Sequence, residues 1–189
     1  MTRIIAGSAK GRSLTVPTKG TRPTSDKVRG AIFSRLESWG AVEDAQVLDL
    51  FAGSGALGIE ALSRGAATAT LVEKAGPSAS IAKQNLEVTG FKKVGKVAVT
   101  DAATYLRGLS KVVRGFDLVF VDPPYSLSEE AVADTLTALV PHLDQEATVV
   151  LERDRRSPSP TLPEGLEHIS ERRWGDTTVW FLKVRGSET

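Results

Sequence analysis

The chain has 189 residues, of which 41% are hydrophobic and 25% charged, and these values are typical of a single soluble globular domain. It contains no cysteine and two histidines, so disulfides and cysteine chemistry are excluded and a histidine-built metal site is not expected. No apolar run reaches the length of a membrane span and the first residues lack the apolar core of a signal peptide, so we expect a cytoplasmic protein.

Positive charge is concentrated at the start of the chain. Residues 1–35 hold eight Lys or Arg and one acid, a local charge of +7, whereas the remaining residues sum to −6 and the whole chain to +1. A basic segment on a nearly neutral protein indicates either a polyanionic partner docked on one face or a solvated basic tail. Charge alone leaves these two interpretations equally open.

The N-terminal segment is predicted to form a β-hairpin followed by a helix. Residues 4–5 and 14–16 have the pattern of short strands, and Gly7–Gly11 between them is typical of a turn. Thr24 is a candidate N-cap of the helix, in which apolar residues recur at helical spacing from Val28 to Trp39.

Strands and helices alternate from residue 46 onward. The predicted strands are 46–51, 68–73, 97–100, 116–121 and 148–152, and the predicted helices are 55–64, 77–89, 102–110 and 127–140. Apolar strands alternating with amphipathic helices predict an α/β fold with a parallel sheet covered on both faces. After a proline-rich loop at 153–165, a hairpin of 166–174 and 177–184 is expected. An antiparallel strand pair beside five parallel strands is typical of the seven-stranded, Rossmann-like sheet of class I methyltransferases.

A glycine-rich loop, Asp49–Gly58, joins the first parallel strand to its helix. Gly53 and Gly55 allow a sharp turn against which a nucleoside can lie, at the edge of the sheet where open α/β folds bind ligands. Glu73 ends the second strand, where its carboxylate can accept hydrogen bonds from both hydroxyls of a ribose. The pattern therefore predicts a cofactor that contains adenosine, and its G-x-G-x-x-G spacing also fits NAD.

Two carboxylates near this loop each have two interpretations. Asp49 favours S-adenosylmethionine over NAD, because its negative charge would repel the pyrophosphate that NAD places at the helix N-terminus. Alternatively, Asp49 only accepts hydrogen bonds from loop amides. Asp101, after the third strand, contacts the adenine or caps the helix that follows, and the sequence gives both equal weight.

Asp122-Pro123-Pro124-Tyr125 follows the almost wholly apolar strand 116–121. An exocyclic amine is a poor nucleophile, and it reacts when its N–H groups are held so that the nitrogen lies in line with a methyl donor. The Asp122 carboxylate and the Pro123 carbonyl can accept those N–H groups, and Tyr125 offers a stacking face. Pro124 stiffens the turn and contributes no competing N–H. We therefore predict a catalytic turn for amine methylation, and the alternative is a rigid strand exit with a packed tyrosine.

Together these segments resemble the RsmD family of bacterial small-subunit ribosomal RNA methyltransferases. The resemblance covers nearly the whole chain, and it is carried by Arg3–Gly7, Lys10–Arg12, Arg22–Arg29, Leu48–Gly58, Val72–Lys74, Asp117–Tyr125 and Trp174-Gly175. It implies S-adenosylmethionine as cofactor and methylation of N2 of one guanine, guanine 966, of 16S rRNA in the small subunit or its assembly intermediate. Gly30 and the proline-rich 153–165 loop depart from the family pattern.

The resemblance also implies which residues form the sites. The cofactor pocket is expected to comprise Asp49, Phe51, Gly53, Gly55, Glu73, Lys74, Asp101, Ala102 and Asp122. Residues 1–20 are expected to form a hairpin extension that meets RNA, and residues 21–189 the methyltransferase domain. The expected phosphate contacts are Arg3, Lys10, Arg12, Arg22, Lys27 and Arg29, with Arg153, Arg155 and Arg156 near the substrate. We expect a monomer that binds neither a membrane nor a metal.

Three other classes of function remain open from the residues alone. The same catalytic turn suits a DNA adenine or a protein glutamine amide, although the basic N-terminal segment disfavours a protein substrate. An NAD-linked oxidoreductase needs a proton donor near the nicotinamide, and neither His142 nor His168 is well placed for that role. An RNA-binding assembly factor without catalysis is disfavoured by the intact Asp122–Tyr125 turn.

Overall fold

A computed structural model describes residues 2–19, 24–110 and 115–186. The helices are α1 (Asp26–Ser38), α2 (Ala56–Ser63), α3 (Gly76–Val88), α4 (Ala102–Gly108) and α5 (Glu129–Leu139), which leads into a 3₁₀ turn at Val140–His142. The strands are β1 (Thr2–Arg3), β2 (Ser13–Leu14), β3 (Gln46–Asp49), β4 (Thr68–Val72), β5 (Gly95–Ala98), β6 (Phe116–Val121), β7 (Leu143–Asp154), β8 (Leu166–Trp174) and β9 (Thr177–Val184). Within these ranges no helix is long and apolar enough to span a membrane.

Seven strands form one sheet in the order β5-β4-β3-β6-β7-β9-β8. The strands from β3 to β7 pair in parallel, and β9 runs antiparallel to both β7 and β8. The strand order reverses between β3 and β6, and open α/β sheets bind ligands at the carboxyl ends of the strands beside such a point. The predicted α/β sheet with an antiparallel C-terminal strand is confirmed.

The two faces of the sheet are buried by different helices. On one face α1, α2 and α3 cover a core that includes Phe120 and Val150. On the other face α4 and α5 cover a core that includes Val121 and Leu151. Because side chains alternate between faces along a strand, the residues directly after Val121 and Leu151 point toward the α1 face.

The N-terminal segment is packed on the α1 face. Ile4 and Leu14 are buried in the same core as the apolar side of α1, and β1 pairs antiparallel with β2. The predicted hairpin is confirmed, but its strands lie at residues 2–3 and 13–14 rather than 4–5 and 14–16. The reason is that Ile4 already closes the turn, since its amide donates to the Arg12 carbonyl at 2.9 Å and its carbonyl accepts from the Gly11 amide at 2.8 Å.

Helix α1 begins at Asp26, and Thr24 is not its N-cap. Ser25 Oγ accepts a hydrogen bond from the Val28 amide at 3.2 Å and therefore caps the helix. Thr24 Oγ1 lies 3.0 Å from each carboxylate oxygen of Glu152 and donates to that side chain instead. The predicted cap is wrong because a tertiary partner, 128 residues away in the chain, takes the threonine hydroxyl.

Most other element bounds differ from the prediction by one or two residues at an end, and three differences have a clear structural context. β5 spans Gly95–Ala98 rather than 97–100, in register with β4. β7 spans Leu143–Asp154 rather than 148–152, and it runs to Asp154 because β9 pairs with it from Thr148 to Asp154, so the predicted loop at 153–165 starts inside the strand. α5 begins at Glu129 because Ser128 Oγ accepts a hydrogen bond from the Ala131 amide.

Candidate active site

A cleft of about 1190 Å³ opens at the carboxyl ends of the parallel strands. Its walls come from the glycine loop after β3, the ends of β4, β6 and β7, the start of α4, the β8–β9 turn and the segment that precedes α1. Of the residues predicted for the cofactor pocket and the catalytic turn, all but Asp49 and Gly55 line this cleft: Phe51, Gly53, Glu73, Lys74, Asp101, Ala102, Asp122, Pro123, Pro124 and Tyr125. The topology therefore brings both predicted sites, the cofactor pocket and the catalytic turn, into one cavity.

The glycine loop has the backbone conformation that glycine favours. Gly53 has φ +54° and Gly55 has φ +84°, both in the left-handed region. A Cβ on Gly53 would meet no atom within 4 Å, so this residue borders the open space of the cleft. A Cβ on Gly55 would lie 2.8 Å from Cδ1 of Leu71. Gly55 therefore lies beneath the cleft surface, where it allows α2 to start close against β4.

Glu73 and Asp101 both accept hydrogen bonds from the loops around them. Glu73 accepts from the amides of Gly53 and Ala75, each at 2.8 Å, and a carboxylate with two such bonds still has acceptor capacity. Asp101 accepts from the amide and the hydroxyl of Thr104, each at 2.8 Å, and these bonds lower the pKa of Asp101. The capping interpretation of Asp101 is confirmed, and its contact with adenine stays a prediction.

The Asp122–Tyr125 turn forms one wall of the cleft. Pro123 is buried, which holds the turn against the protein. Tyr125 is 67% exposed, so one face of its ring is available to a planar group. A base stacked on this ring lies at the same wall as the Asp122 carboxylate.

Three carboxylates lie on one face of three neighbouring strands. Asp49, at the end of β3, sits between two residues of the α4–α5 core and therefore points toward the α1 face. Asp122 and Glu152 follow Val121 and Leu151, which are paired in register on β6 and β7, so they also point toward that face. Asp49 is 1% exposed and Glu152 is 8% exposed.

Burial raises the pKa of Asp49 to about 7, and the charge of Glu73 contributes to the increase. The backbone amides of Gly58 and Phe51 lower this pKa in part. Neither Asp49 carboxylate oxygen, however, makes a hydrogen bond of normal geometry to a residue of the described ranges. Asp49 is therefore a buried acid whose charge the described part of the protein compensates only in part.

The other two carboxylates have raised pKa values for the same reason. Burial raises the pKa of Glu152 to about 7, against a smaller opposing effect of the Thr24 hydrogen bond. Burial also raises the pKa of Asp122 well above its usual value, the charges of Glu152 and Asp49 raise it further, and Arg153 lowers it. Mutual repulsion of these acids means that a cation between them would be stabilised.

Sequence reasoning missed Glu152 as a site residue. The signal was present, because Glu152 is an acid that ends a buried parallel strand, as Asp122 does. The hydrogen bond between Glu152 and Thr24 had no such signal in the sequence, since it depends on the tertiary placement of Thr24 beside the end of β7.

The exposed members of the predicted RNA-binding set are Arg3, Lys10, Arg12 and Lys27. Arg12 also donates a hydrogen bond to the Val88 carbonyl at 2.7 Å, at the end of α3. Arg22 lies outside the described residues. The exposed set therefore spans the hairpin and the first turn of α1. Lys27 lines the cleft, whereas Arg12 lies at the end of α3 that is remote from it.

Arg29 does not belong to that surface. Its side chain is 1% exposed, and it donates to Thr2 Oγ1 at 3.1 Å, to Asp26 at 3.0 Å and to the Arg3 carbonyl. The prediction that Arg29 contacts RNA phosphate is wrong, because these partners hold the guanidinium inside the protein. It attaches β1 to α1 instead.

Arg153 is also held inside the protein, whereas its neighbours are exposed. Arg153 is 6% exposed and forms an ion pair with Glu129 and a hydrogen bond to the Leu127 carbonyl at 3.3 Å. A phosphate contact by Arg153 is therefore a wrong prediction. Arg155 and Arg156 are exposed and keep that possible role. In the part of the chain that the structure describes, no group of three or more potential metal ligands is arranged to hold a metal ion.

The strand order, the glycine loop and the cleft define a class I, Rossmann-like methyltransferase fold. The solved structure of TrmN from Thermus thermophilus has this fold, with a TM-score of 0.67 over 84% of this chain and 48% of that chain at 21% identity. A second solved structure from Thermus thermophilus, the hypothetical protein TTHA0928, matches with a TM-score of 0.83, at 29% identity, over 97% of this chain and all of its own.

The family described as conserved hypothetical protein 95 matches residues 2–183, and the chain belongs to this family. The ribosomal RNA small subunit methyltransferase D of Escherichia coli K12 is 39% identical over 166 residues, which cover 85% of this chain and 79% of that protein. The protein of the same name from Haemophilus influenzae is 33% identical over 92% of this chain and 89% of its own. The resemblance to the RsmD family is therefore confirmed.

Proposed function

We propose that the protein transfers a methyl group from S-adenosylmethionine to the N2 amine of one guanine in 16S rRNA, in the small subunit or its assembly intermediate. The observation that carries this proposal is that the Asp122–Tyr125 turn shares one cleft with the glycine loop and Glu73. The relatives named small subunit methyltransferase D support rRNA as the substrate.

The residues of the cleft fit S-adenosylmethionine. Glu73 keeps acceptor capacity for ribose hydroxyls, and the Asp101–Ala102 segment is available to the adenine. The sulfonium and ammonium groups of this cofactor are cations, and the incompletely compensated carboxylate of Asp49 favours a cationic occupant. The pyrophosphate of NAD would instead bring negative charge toward Asp49 and Asp122.

The chemical step depends mainly on positioning the amine. S-adenosylmethionine, when bound, supplies an electrophilic methyl group. The Asp122 carboxylate accepts one N–H of the guanine amine and the Pro123 carbonyl accepts the other, which directs the nitrogen lone pair toward the methyl carbon. The alkylated nitrogen is acidic and loses one proton, which Asp122 can accept because its pKa is raised.

Residues 1–20 and the exposed cations of the hairpin and α1 bind the RNA backbone in this proposal, and residues 21–189 carry the chemistry. The guanine must leave its stack to reach Asp122. Stacking on Tyr125, worth about 1–3 kcal/mol, offsets part of that cost. The enzyme acts as a monomer in the cytoplasm.

The decisive experiment supplies S-adenosylmethionine with a labelled methyl group to undermethylated 30S subunits, naked 16S rRNA, adenine-containing DNA and a glutamine peptide. We expect label on N2 of one guanine in the RNA. Asp122→Asn should lower kcat by about 10²- to 10³-fold, because the oriented N–H acceptor is lost. Asp144→Asn is the matched control, since Asp144 lies at the opposite edge of the sheet, where β7 starts.

Two outcomes would contradict the proposal. Label on adenine or on glutamine amide would assign another substrate to the same turn, and full activity of Asp122→Asn would remove the turn from catalysis. A thermal shift provides a separate check on the cofactor. S-adenosylhomocysteine, the expected product, should stabilise the protein, and stabilisation by NAD alone would contradict the cofactor assignment.

A further inference from the structure

We propose that Glu152 selects guanine by accepting the hydrogen bond of the base N1–H, beside the amine that Asp122 holds. This inference rests on the proposed function and adds to it the residue that distinguishes guanine from other purines with an exocyclic amine. Glu152 has no role in the methyl-transfer step described above.

The position of Glu152 places its carboxylate next to Asp122. Val121 of β6 and Leu151 of β7 are paired in register, so Asp122 and Glu152 follow at equivalent positions on adjacent parallel strands. Adjacent strands lie about 4.8 Å apart, and both side chains point to the same face and line the same cleft. The two carboxylates therefore face one side of any base held at the turn.

The carboxylate of Glu152 retains unused acceptor capacity. The side chain is 8% exposed, and the donor that the described residues supply to it is the hydroxyl of Thr24, 3.0 Å from both oxygens. A hydroxyl has one proton, whereas a carboxylate has about four acceptor positions. A buried acceptor with unfilled positions at the wall of a cleft is suited to a donor on the ligand.

The two carboxylates match the Watson–Crick edge of guanine. On this edge the N1–H and N2–H donors are adjacent and parallel, so one carboxylate can accept from each. Adenine presents an unprotonated N1 next to its amine, and its lone pair would face the charge of Glu152. The pair of acids thus favours guanine by attraction and disfavours adenine by repulsion.

Thr24 orients this carboxylate. Its hydroxyl bridges the segment before α1 and the end of β7 and so limits the rotation of the Glu152 side chain. Thr24 is a positioning residue in this proposal, because it acts on the base through Glu152.

The test uses 2-aminopurine in place of the target guanine. This base keeps the accepting 2-amine but has an unprotonated N1. 16S rRNA that carries either base at the target position is prepared by ligation and assembled into 30S particles. These particles are the substrates for the wild type, for Glu152→Gln and for a control, Glu146→Gln. The control changes an exposed residue of the same strand. The readouts are the guanine to 2-aminopurine ratio of kcat/KM and the Kd for S-adenosylhomocysteine.

We expect the wild type and Glu146→Gln to prefer guanine by about 10- to 100-fold. Glu152→Gln should reduce this preference to about 3-fold or less, because its amide can present either oxygen to N1–H or NH₂ to an unprotonated N1. The Kd for S-adenosylhomocysteine should change by less than about 3-fold. Thr24→Val, a second variant, should give an intermediate preference.

Several results would overturn the inference. Equal rates on both bases in the wild type would show that N1–H is not read. A preference unchanged in Glu152→Gln, together with a weakened affinity for S-adenosylhomocysteine, would assign Glu152 to cofactor binding. Should Glu152→Gln not fold, an unchanged preference in Thr24→Val or equal wild-type rates would still reject the proposal. No transfer to guanine by the wild type would instead reject the proposed function itself, which separates the two failures.

Discussion

Two buried glutamates on the same side of the protein, Glu60 and Glu152, have opposite surroundings. Glu60, on α2, is 0% exposed and accepts hydrogen bonds from the amides of Ile5 and Ala6 and from Arg64 Nε at 2.9 Å. Arg29 Nε lies 3.7 Å from its other oxygen. Among the described residues, Glu152 accepts a hydrogen bond from the Thr24 hydroxyl and has two like-charged neighbours, Asp49 and Asp122.

The comparison shows that the hydrogen-bond donors around a buried carboxylate indicate its role. The protein itself supplies the donors to Glu60, and these donors attach the N-terminal segment to α1 and α2. Within the described residues, Asp49, Asp122 and Glu152 have fewer such donors, and their raised pKa values show that burial is compensated only in part. The carboxylate of Glu60 contributes to folding, and the proposed role of the other three is to bind a ligand that brings cations or N–H groups.

The largest expected effect is the difference in the free energy of unfolding between Glu60→Gln and Glu152→Gln. Glu60→Gln should lower the free energy of unfolding by about 3 kcal/mol, because it removes the buried carboxylate charge that faces the guanidinium groups of Arg29 and Arg64 and two backbone amides. Glu152→Gln should leave the free energy of unfolding unchanged or raise it at pH 8, where it removes a buried negative charge. Urea denaturation of both variants measures the difference, and equal losses would contradict it.

The next effect is a pH dependence of stability in the cofactor-free protein. Asp49 and Glu152 have pKa values of about 7 in the folded protein, above their ordinary values of 3.8 and 4.5. Between about pH 4 and 7 the folded state therefore binds more protons than the unfolded chain, so the free energy of unfolding falls as the pH rises. The slope is at most about 1.4 kcal/mol per pH unit for each group.

Denaturation curves measured from pH 4.5 to 8 test this slope, and Asp49→Asn provides the variant with one titrating group removed. Its stability should depend less on pH than that of the wild type. A stability that rises with pH over this range would contradict the raised pKa values.

A smaller effect is expected on the salt dependence of RNA binding, which should differ between variants of the exposed Lys10 and the buried Arg29. Lys10→Ala should weaken binding by a few fold and reduce the slope of log K against log salt by about 0.7–0.9, since one phosphate contact is lost. Arg29→Met should destabilise the protein but leave that slope unchanged at a temperature where the variant is folded. Filter binding over a salt series measures both, and a change of slope in Arg29→Met would contradict its buried role.

The smallest expected effect concerns the charge of the cofactor. S-adenosylmethionine differs from S-adenosylhomocysteine by one methyl group and one positive charge, so ionisation of the three carboxylates should favour the charged form. The ratio of the two Kd values should shift toward S-adenosylmethionine by about 3-fold from pH 6 to pH 8. Calorimetric titration measures the ratio, and a shift in the other direction would contradict the proposed cation site.

Much of the fold was predictable because its signals are local. The predicted strands 116–121 and 166–174 coincide with β6 and β8, and the glycine loop begins the helix α2 as predicted. Element ends were less predictable, since Ser25 and Thr24 are both suitable caps by residue type and only the position of Glu152 decides between them.

The sequence by itself determined the parallel sheet, the cofactor loop and the catalytic turn, because glycine, proline and apolar runs act through the conformation of their own segment. Tertiary structure decided which charges are buried and what they meet. Arg29 looks like a surface cation in the sequence, yet Thr2 and Asp26 enclose it, and Glu152 gains its place beside Asp122 only when β6 and β7 pair. The energy of a charge depends on solvent exposure and on partners that are distant in the chain, so no local pattern specifies it.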